Sequence, residues 1–83
     1  MDEAGQRLRI DIDNIDDAII DVIAERFDIV SELHLWKLQS GLPLRDPNRE
    51  EVVKAKYIEA FGERDGTAIF EAIRGPIEDL TTE

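Results

Sequence analysis

Apolar residues recur along the first half of the chain in steps of four and three: Leu8, Ile12, Ile15, Ile19 and Val22, then Ile29, Leu33 and Trp36. Arg26 fills the one gap in the series. A heptad stripe of this length predicts one long helix, about residues 6–39, packed against other helices. Ala18, Ile23 and Val30 widen it beyond a strict coiled-coil seam. Ser40-Gly41-Leu42-Pro43 supplies a C-terminal glycine and a following proline, which end the helix. A second helix is predicted over residues 46–61, with Asp46 as N-cap and Pro47 at the first helical position, where its missing N–H costs nothing. Val52, Val53, Tyr57 and either Ala60 or Phe61 would face inward. Gly62 to Gly66 reads as a polar turn. A third helix over residues 67–80 follows, with Ile69, Phe70 and Ile73 on one face and a break or kink at Gly75-Pro76.

The pattern is all-α: one long helix and two shorter ones in a single domain, residues 1–83. A helix of ~34 residues is ~50 Å long. Two short helices cannot cover its whole apolar stripe, but a second copy can, so an obligate homodimer of crossing or paired long helices is expected.

Composition narrows the chemistry. The chain has 83 residues, room for one small core. It has no cysteine and one histidine, which rules out disulfides and a zinc cluster, and no metal site is expected. A net charge of −10, spread along the chain, makes nucleic acid and anionic membrane poor partners. Neither an apolar signal core at the N-terminus nor a run of ~20 apolar residues is present, so a soluble cytoplasmic protein is expected.

Against that acidic background a few cations stand out. Lys37 lies eleven residues after Arg26, ~20° around an ideal helix and so on the same face. In "GLPLRDPNREEVV", residues 41–53, Arg49 precedes Val52 and Val53 by three and four residues and shares their face. An unpaired buried charge costs several kcal/mol, so each cation needs a counter-anion. Glu25, Glu32, Glu50 or Glu51 could pair with one of them, and long side chains can also reach out to water. Three cations on one interior are better explained by an external anion. Arg9 lies ~100° and ~25 Å from Arg26 on the same helix, so it could reach such a site only in a partner subunit. Trp36, on the stripe, is expected in the core, and His34, off it, is expected to be exposed.

These residues fall in a known order. Over essentially residues 6–61 the sequence resembles the all-helical chorismate mutases, the AroQ class. The resemblance is carried by "LRIDIDNIDDAIIDVIAERFDIV", the lysine of "HLWK", and "GLPLRDPNREEVV". It implies an intertwined dimer of three-helix chains. Arg26, Lys37, Arg49 and Glu50 would line one site, with Asp46 at its edge acting through backbone and cap, and Arg9 entering from the partner. The implied reaction is the pericyclic Claisen rearrangement of chorismate, a dianion, to prephenate in aromatic amino acid biosynthesis, which needs no nucleophile, metal or redox cofactor. Arg9 and Arg26 would clamp carboxylates, Lys37 would donate to the ether oxygen and meet a carboxylate, and Arg49 would help position the substrate. Glu50 would accept from the ring hydroxyl, although a glutamate in a first helical turn also complements the helix dipole.

The C-terminus departs from the family's pattern. Its third helix usually carries a small polar residue and, one turn later, a glutamine or glutamate near the ether oxygen. In one register Ile77 and Thr81 take those places, leaving Thr81 as the candidate substitute. In the other, set by "IED", the second place lies beyond residue 83. Three consequences are open: a weak enzyme completed by a partner such as the first enzyme of the shikimate pathway; a related reaction, on 4-amino-4-deoxychorismate or as pyruvate elimination from isochorismate; or a non-catalytic helical dimerisation module. The retained cations argue against the last.

Overall fold

Asp2 opens the first helix by accepting a hydrogen bond from the Gly5 N–H at 2.7 Å. That cap starts α1 at Glu3, three residues before the periodicity suggests, and α1 runs Glu3–Ser40. Its end is a Schellman motif. Gly41 is left-handed at φ 72, its N–H reaches the Leu38 carbonyl, and the Leu42 N–H reaches that of Lys37. Asp46 then caps α2, Pro47–Phe61, by accepting from the Arg49 N–H at 3.1 Å. α3 is Glu63–Ile73. The computed structural model describes residues 2–75, and among these no strand occurs. The expected turn after Ile77 and the candidate Thr81 lie outside the described residues.

The turn between α2 and α3 is shorter than the sequence suggests. Gly62, at φ 92, reverses the chain alone, and Glu63 already begins α3. Gly66 belongs to the helix and is buried. A Cβ there would sit 2.5 Å from both the Tyr57 carbonyl oxygen and the Ile58 Cα. Its glycine therefore serves close helix packing rather than a turn.

α2 and α3 form a packed hairpin, with the Tyr57 and Phe70 rings 6.2 Å apart, and α3 also touches α1. The buried core is small, with Phe70 and Ile73 its apolar members. α1 extends well past the hairpin, and the molecule measures 58 × 25 × 18 Å. Along α1, every residue of the heptad stripe remains between 45% and 63% exposed. Trp36 is among them, so within one chain it is not core, contrary to expectation. The hairpin sits on a different face.

The covered positions of α1 are Ile23, Arg26, Val30, His34 and Lys37. Their steps of three and four define a second stripe, ~90° around from Val22, Ile29, Leu33 and Trp36. His34 lies in it and is buried, at 6% exposure. Its exposure was expected because only one stripe was legible.

Candidate active site

Between α1 and the hairpin lies a cavity of about 490 Å³, within the range of small-molecule sites. α1 contributes Arg26 and Lys37 from its covered stripe, with His34 between them. Asp46, Arg49 and Glu50 enter from the start of α2, and Phe70 and Arg74 from the end of α3. Four cations and three carboxylates (Glu25 is the third) line it, in a chain whose net charge is −10. The space is cationic in an acidic protein.

Each cation is held differently. Arg26 donates from Nη1 to the Ile73 carbonyl at 2.9 Å, satisfying a backbone acceptor at the end of α3. Lys37 donates from Nζ to the Leu44 carbonyl at 3.1 Å, which ties α1 to the connection into α2. Each contact uses one donor, and both groups have further N–H bonds to offer. The Arg49 side chain lines this cavity and a second of about 320 Å³, and among the described residues it has no polar partner.

Glu50 is the least exposed carboxylate with a partner among the described residues, its side chain 17% accessible. Its Oε2 accepts from Arg45 Nη2 at 2.7 Å, and its Oε1 lies 3.5 Å from Arg74 Nη1. Oε1 is buried and takes no hydrogen bond among the described residues. An acceptor in that condition invites a donor. Burial, and secondarily the charge of Lys37, holds the His34 pKa below the usual histidine value, so its imidazole stays neutral beside the cations.

Of the seven residues expected from sequence, the cavity brings together Arg26, Lys37, Asp46, Arg49 and Glu50. Arg9 is exposed and not among the lining residues. Thr81 lies outside the described residues.

A sequence model of the family described as chorismate mutase type II matches residues 8–75. The chain belongs to that family. T-proteins of Haemophilus influenzae and Enterobacter agglomerans are 39% and 40% identical over 59 and 58 residues, covering 70% and 66% of this chain but 16% of their own length. A Streptomyces venezuelae protein named 4-amino-4-deoxychorismate mutase is 33% identical over 60 residues, 69% of this chain and 58% of its own. No solved structure matches the chain significantly.

Within this chorismate mutase type II chain, three polar lining or flanking residues are ones that sequence spacing does not bring to the site. His34 is found only once the second stripe is seen. Arg45 is adjacent to the helix cap in sequence and reads as a loop cation until its contact with Glu50 is known. Arg74 follows the last apolar residue of α3, and its position depends on that helix stopping at Ile73. Its weak signal was a cation immediately before Gly75-Pro76.

Proposed function

We propose that this chain is a chorismate mutase, converting chorismate to prephenate, and that it acts as an intertwined homodimer. The observation that carries the reading is the cavity where Arg26, Lys37 and Arg49 converge, with Arg49 unpaired among the described residues. An unpaired guanidinium beside two further cations suits a dianion. The family membership and the name of the Streptomyces venezuelae relative support the same substrate class.

The chemistry asks little of the protein besides placement and charge. One carbon–oxygen bond breaks as one carbon–carbon bond forms, with no proton transferred. Holding the enolpyruvyl chain over the ring lowers the entropic barrier, and fixed donors stabilise negative charge developing on the ether oxygen. Arg26 meets a carboxylate with its planar fork, Lys37 donates to the ether oxygen, and Arg49 orients the substrate. Glu50 Oε1 accepts from the ring hydroxyl, and Asp46 keeps α2 registered at the cavity edge.

The homodimer reading rests on the exposed stripe. A second α1 laid on Leu8, Ile12, Ile15 and Ile19 would cover it and bring the partner's Arg9 toward this cavity. The loss of chorismate's ultraviolet absorbance, with product separated and identified, tests the function. Prephenate is expected. Chorismate left intact by a folded, assembled protein would sink the reading.

The Streptomyces venezuelae relative favours a second reading, in which the ring substituent is an amine. Supplying both substrates in parallel assays distinguishes the two.

A further inference from the structure

His34 is a polar residue of the cavity to which the proposed chemistry gives no part. It is buried, at 6% exposure, and lines the wall on the α1 stripe between Arg26 and Lys37. A neutral imidazole carries one N–H donor and one acceptor nitrogen. Among the described residues neither nitrogen makes a hydrogen bond, although an unpaired buried polar group is costly. The sealed side-chain atoms without a partner are Arg45 Nε and Glu50 Oε1, so the ring nitrogens of His34 are not closed off by protein. They open onto the cavity.

α1 fixes which part of a ligand the ring meets. His34 precedes Lys37 by three residues, ~4.5 Å along the axis, and follows Arg26 by eight, ~12 Å. Lys37 is the nearer cation. Helical side chains lean toward the N-terminus, which directs the ring into the stretch between the two. A carboxylate held by Lys37 lies within its reach. Burial, and secondarily the Lys37 charge, keep the ring neutral. The other charged groups lining the cavity are Glu25 and Arg26 from α1, Asp46, Arg49 and Glu50 from α2, and Arg74 from α3. None of them hydrogen-bonds the imidazole.

We propose that His34 is a substrate-contacting residue, its imidazole donating a hydrogen bond to the carboxylate that Lys37 meets. This rests on the function proposed above and adds a contact that depends on protonation. The bound carboxylate offsets the Lys37 charge, which opposes a second ring proton, and accepts more strongly from an imidazolium than from an imidazole. Binding therefore takes up a proton between pH 8 and 6, and affinity tightens as pH falls. The chain has one histidine and no cysteine, so no other side-chain type present ordinarily titrates in that range. The carboxylate keeps its charge throughout the rearrangement, so the contact serves ground state and transition state alike. It acts on KM more than on kcat.

The test measures Kd for a bicyclic ether dicarboxylate shaped like the transition state, with KM and kcat for chorismate, from pH 8 to 6. Wild type, His34→Leu and His34→Gln are compared as folded, assembled proteins. The wild type should bind more tightly as pH falls, by up to about tenfold per unit. Calorimetry in buffers of different ionisation enthalpy should show the proton taken up. His34→Leu should raise Kd and KM by about tenfold or more near pH 6, lower kcat by a smaller factor and lose the slope. His34→Gln, a neutral donor, should recover part of the affinity and none of the slope. A merely structural histidine would move the melting temperature and leave Kd and its slope as in the wild type. If His34→Leu does not fold, His34→Gln and the wild-type proton uptake decide. A pH-independent wild-type affinity, a slope kept by either variant, or a folded His34→Leu that binds as tightly as the wild type overturns the inference, while turnover keeps the mutase reading. A wild type that neither binds the dicarboxylate nor converts chorismate overturns both.

Discussion

Two faces of α1 divide the labour of this chain. One, from Leu8 to Trp36, is apolar and exposed apart from the gap that Arg26 fills, and its Val22, Ile29 and Leu33 border the cavity. The other, from Ile23 to Lys37, mixes apolar residues with Arg26, His34 and Lys37 and lies against the α2–α3 hairpin. They are separable because a seven-residue repeat drifts ~20° per heptad around a straight helix. By Ile29 and Trp36 the heptad stripe has turned away from the positions that α3 covers. A long exposed apolar face fits a surface for assembly. A face with spaced cations fits one that admits an anion.

The largest effect should come from placing a charge on the exposed face. Ile15→Asp or Ile19→Asp puts a carboxylate where a second α1 would lie. If that face is buried between two copies, the cost is several kcal/mol per subunit. Sedimentation should then show monomers with reduced helicity, and turnover should be lost with assembly. A helical, active protein unaffected by Ile19→Asp would break the comparison, because the stripe would then be covering nothing.

On the other face the outcome should invert. Lys37→Ala and Arg26→Ala should lower turnover by roughly 10²–10³ or more while helicity and assembly persist, since each removes a donor aimed at developing or fixed negative charge. Each also strips a backbone carbonyl of its partner, that of Ile73 for Arg26→Ala and that of Leu44 for Lys37→Ala, so each should cost about 1 kcal/mol of stability besides. Steady-state assays paired with thermal melts separate the two contributions. Full activity in both variants would remove the cavity from consideration.

How much of this could be read from the chain depended on the range of the interaction. The heptad stripe, Asp46 as a cap, Gly41 as a helix stop and the shared face of Arg26 and Lys37 are local, fixed by spacing within one helix. The burial of His34 comes from packing between elements, which spacing along α1 does not record. Gly66 was misread for the same reason. A glycine needed for helix contact and a glycine needed for a turn look alike until Tyr57 and Ile58 are seen against it. Arg45 and Arg74 entered through Glu50, a meeting of three segments that no periodicity records.

Gly66 offers a milder test confined to the hairpin. Gly66→Ala should destabilise by about 1–3 kcal/mol, because a methyl there overlaps the α2 backbone, which cannot step aside like a flexible side chain. In an exposed helix the same exchange would stabilise. The sign is therefore the readout. Denaturant unfolding should show a lower midpoint with a similar slope, and the exposed face of α1 should still support assembly. A midpoint raised by the substitution would mean that α2 and α3 do not approach as closely as Tyr57, Ile58 and Gly66 indicate.

The smallest effect concerns His34, which belongs to the second face yet carries no charge there. Its pKa is lowered by burial first and by Lys37 second. In the unfolded chain it takes up a proton near its ordinary value of about 6.5. The unfolded state therefore binds more protons as pH falls below that value, and folded stability declines until pH drops below the folded pKa. Above about 6.5 the contribution is fully present. One group can impose a slope of at most about 1.4 kcal/mol per pH unit, so the change is modest. Thermal melts at pH 5 to 8 on the protein and on His34→Gln should differ in slope below pH 6.5, the variant being flatter. Parallel curves would mean that His34 titrates alike in both states. The second stripe would then leave the imidazole accessible, and the division of α1 into an assembly face and a cavity face would blur at its centre.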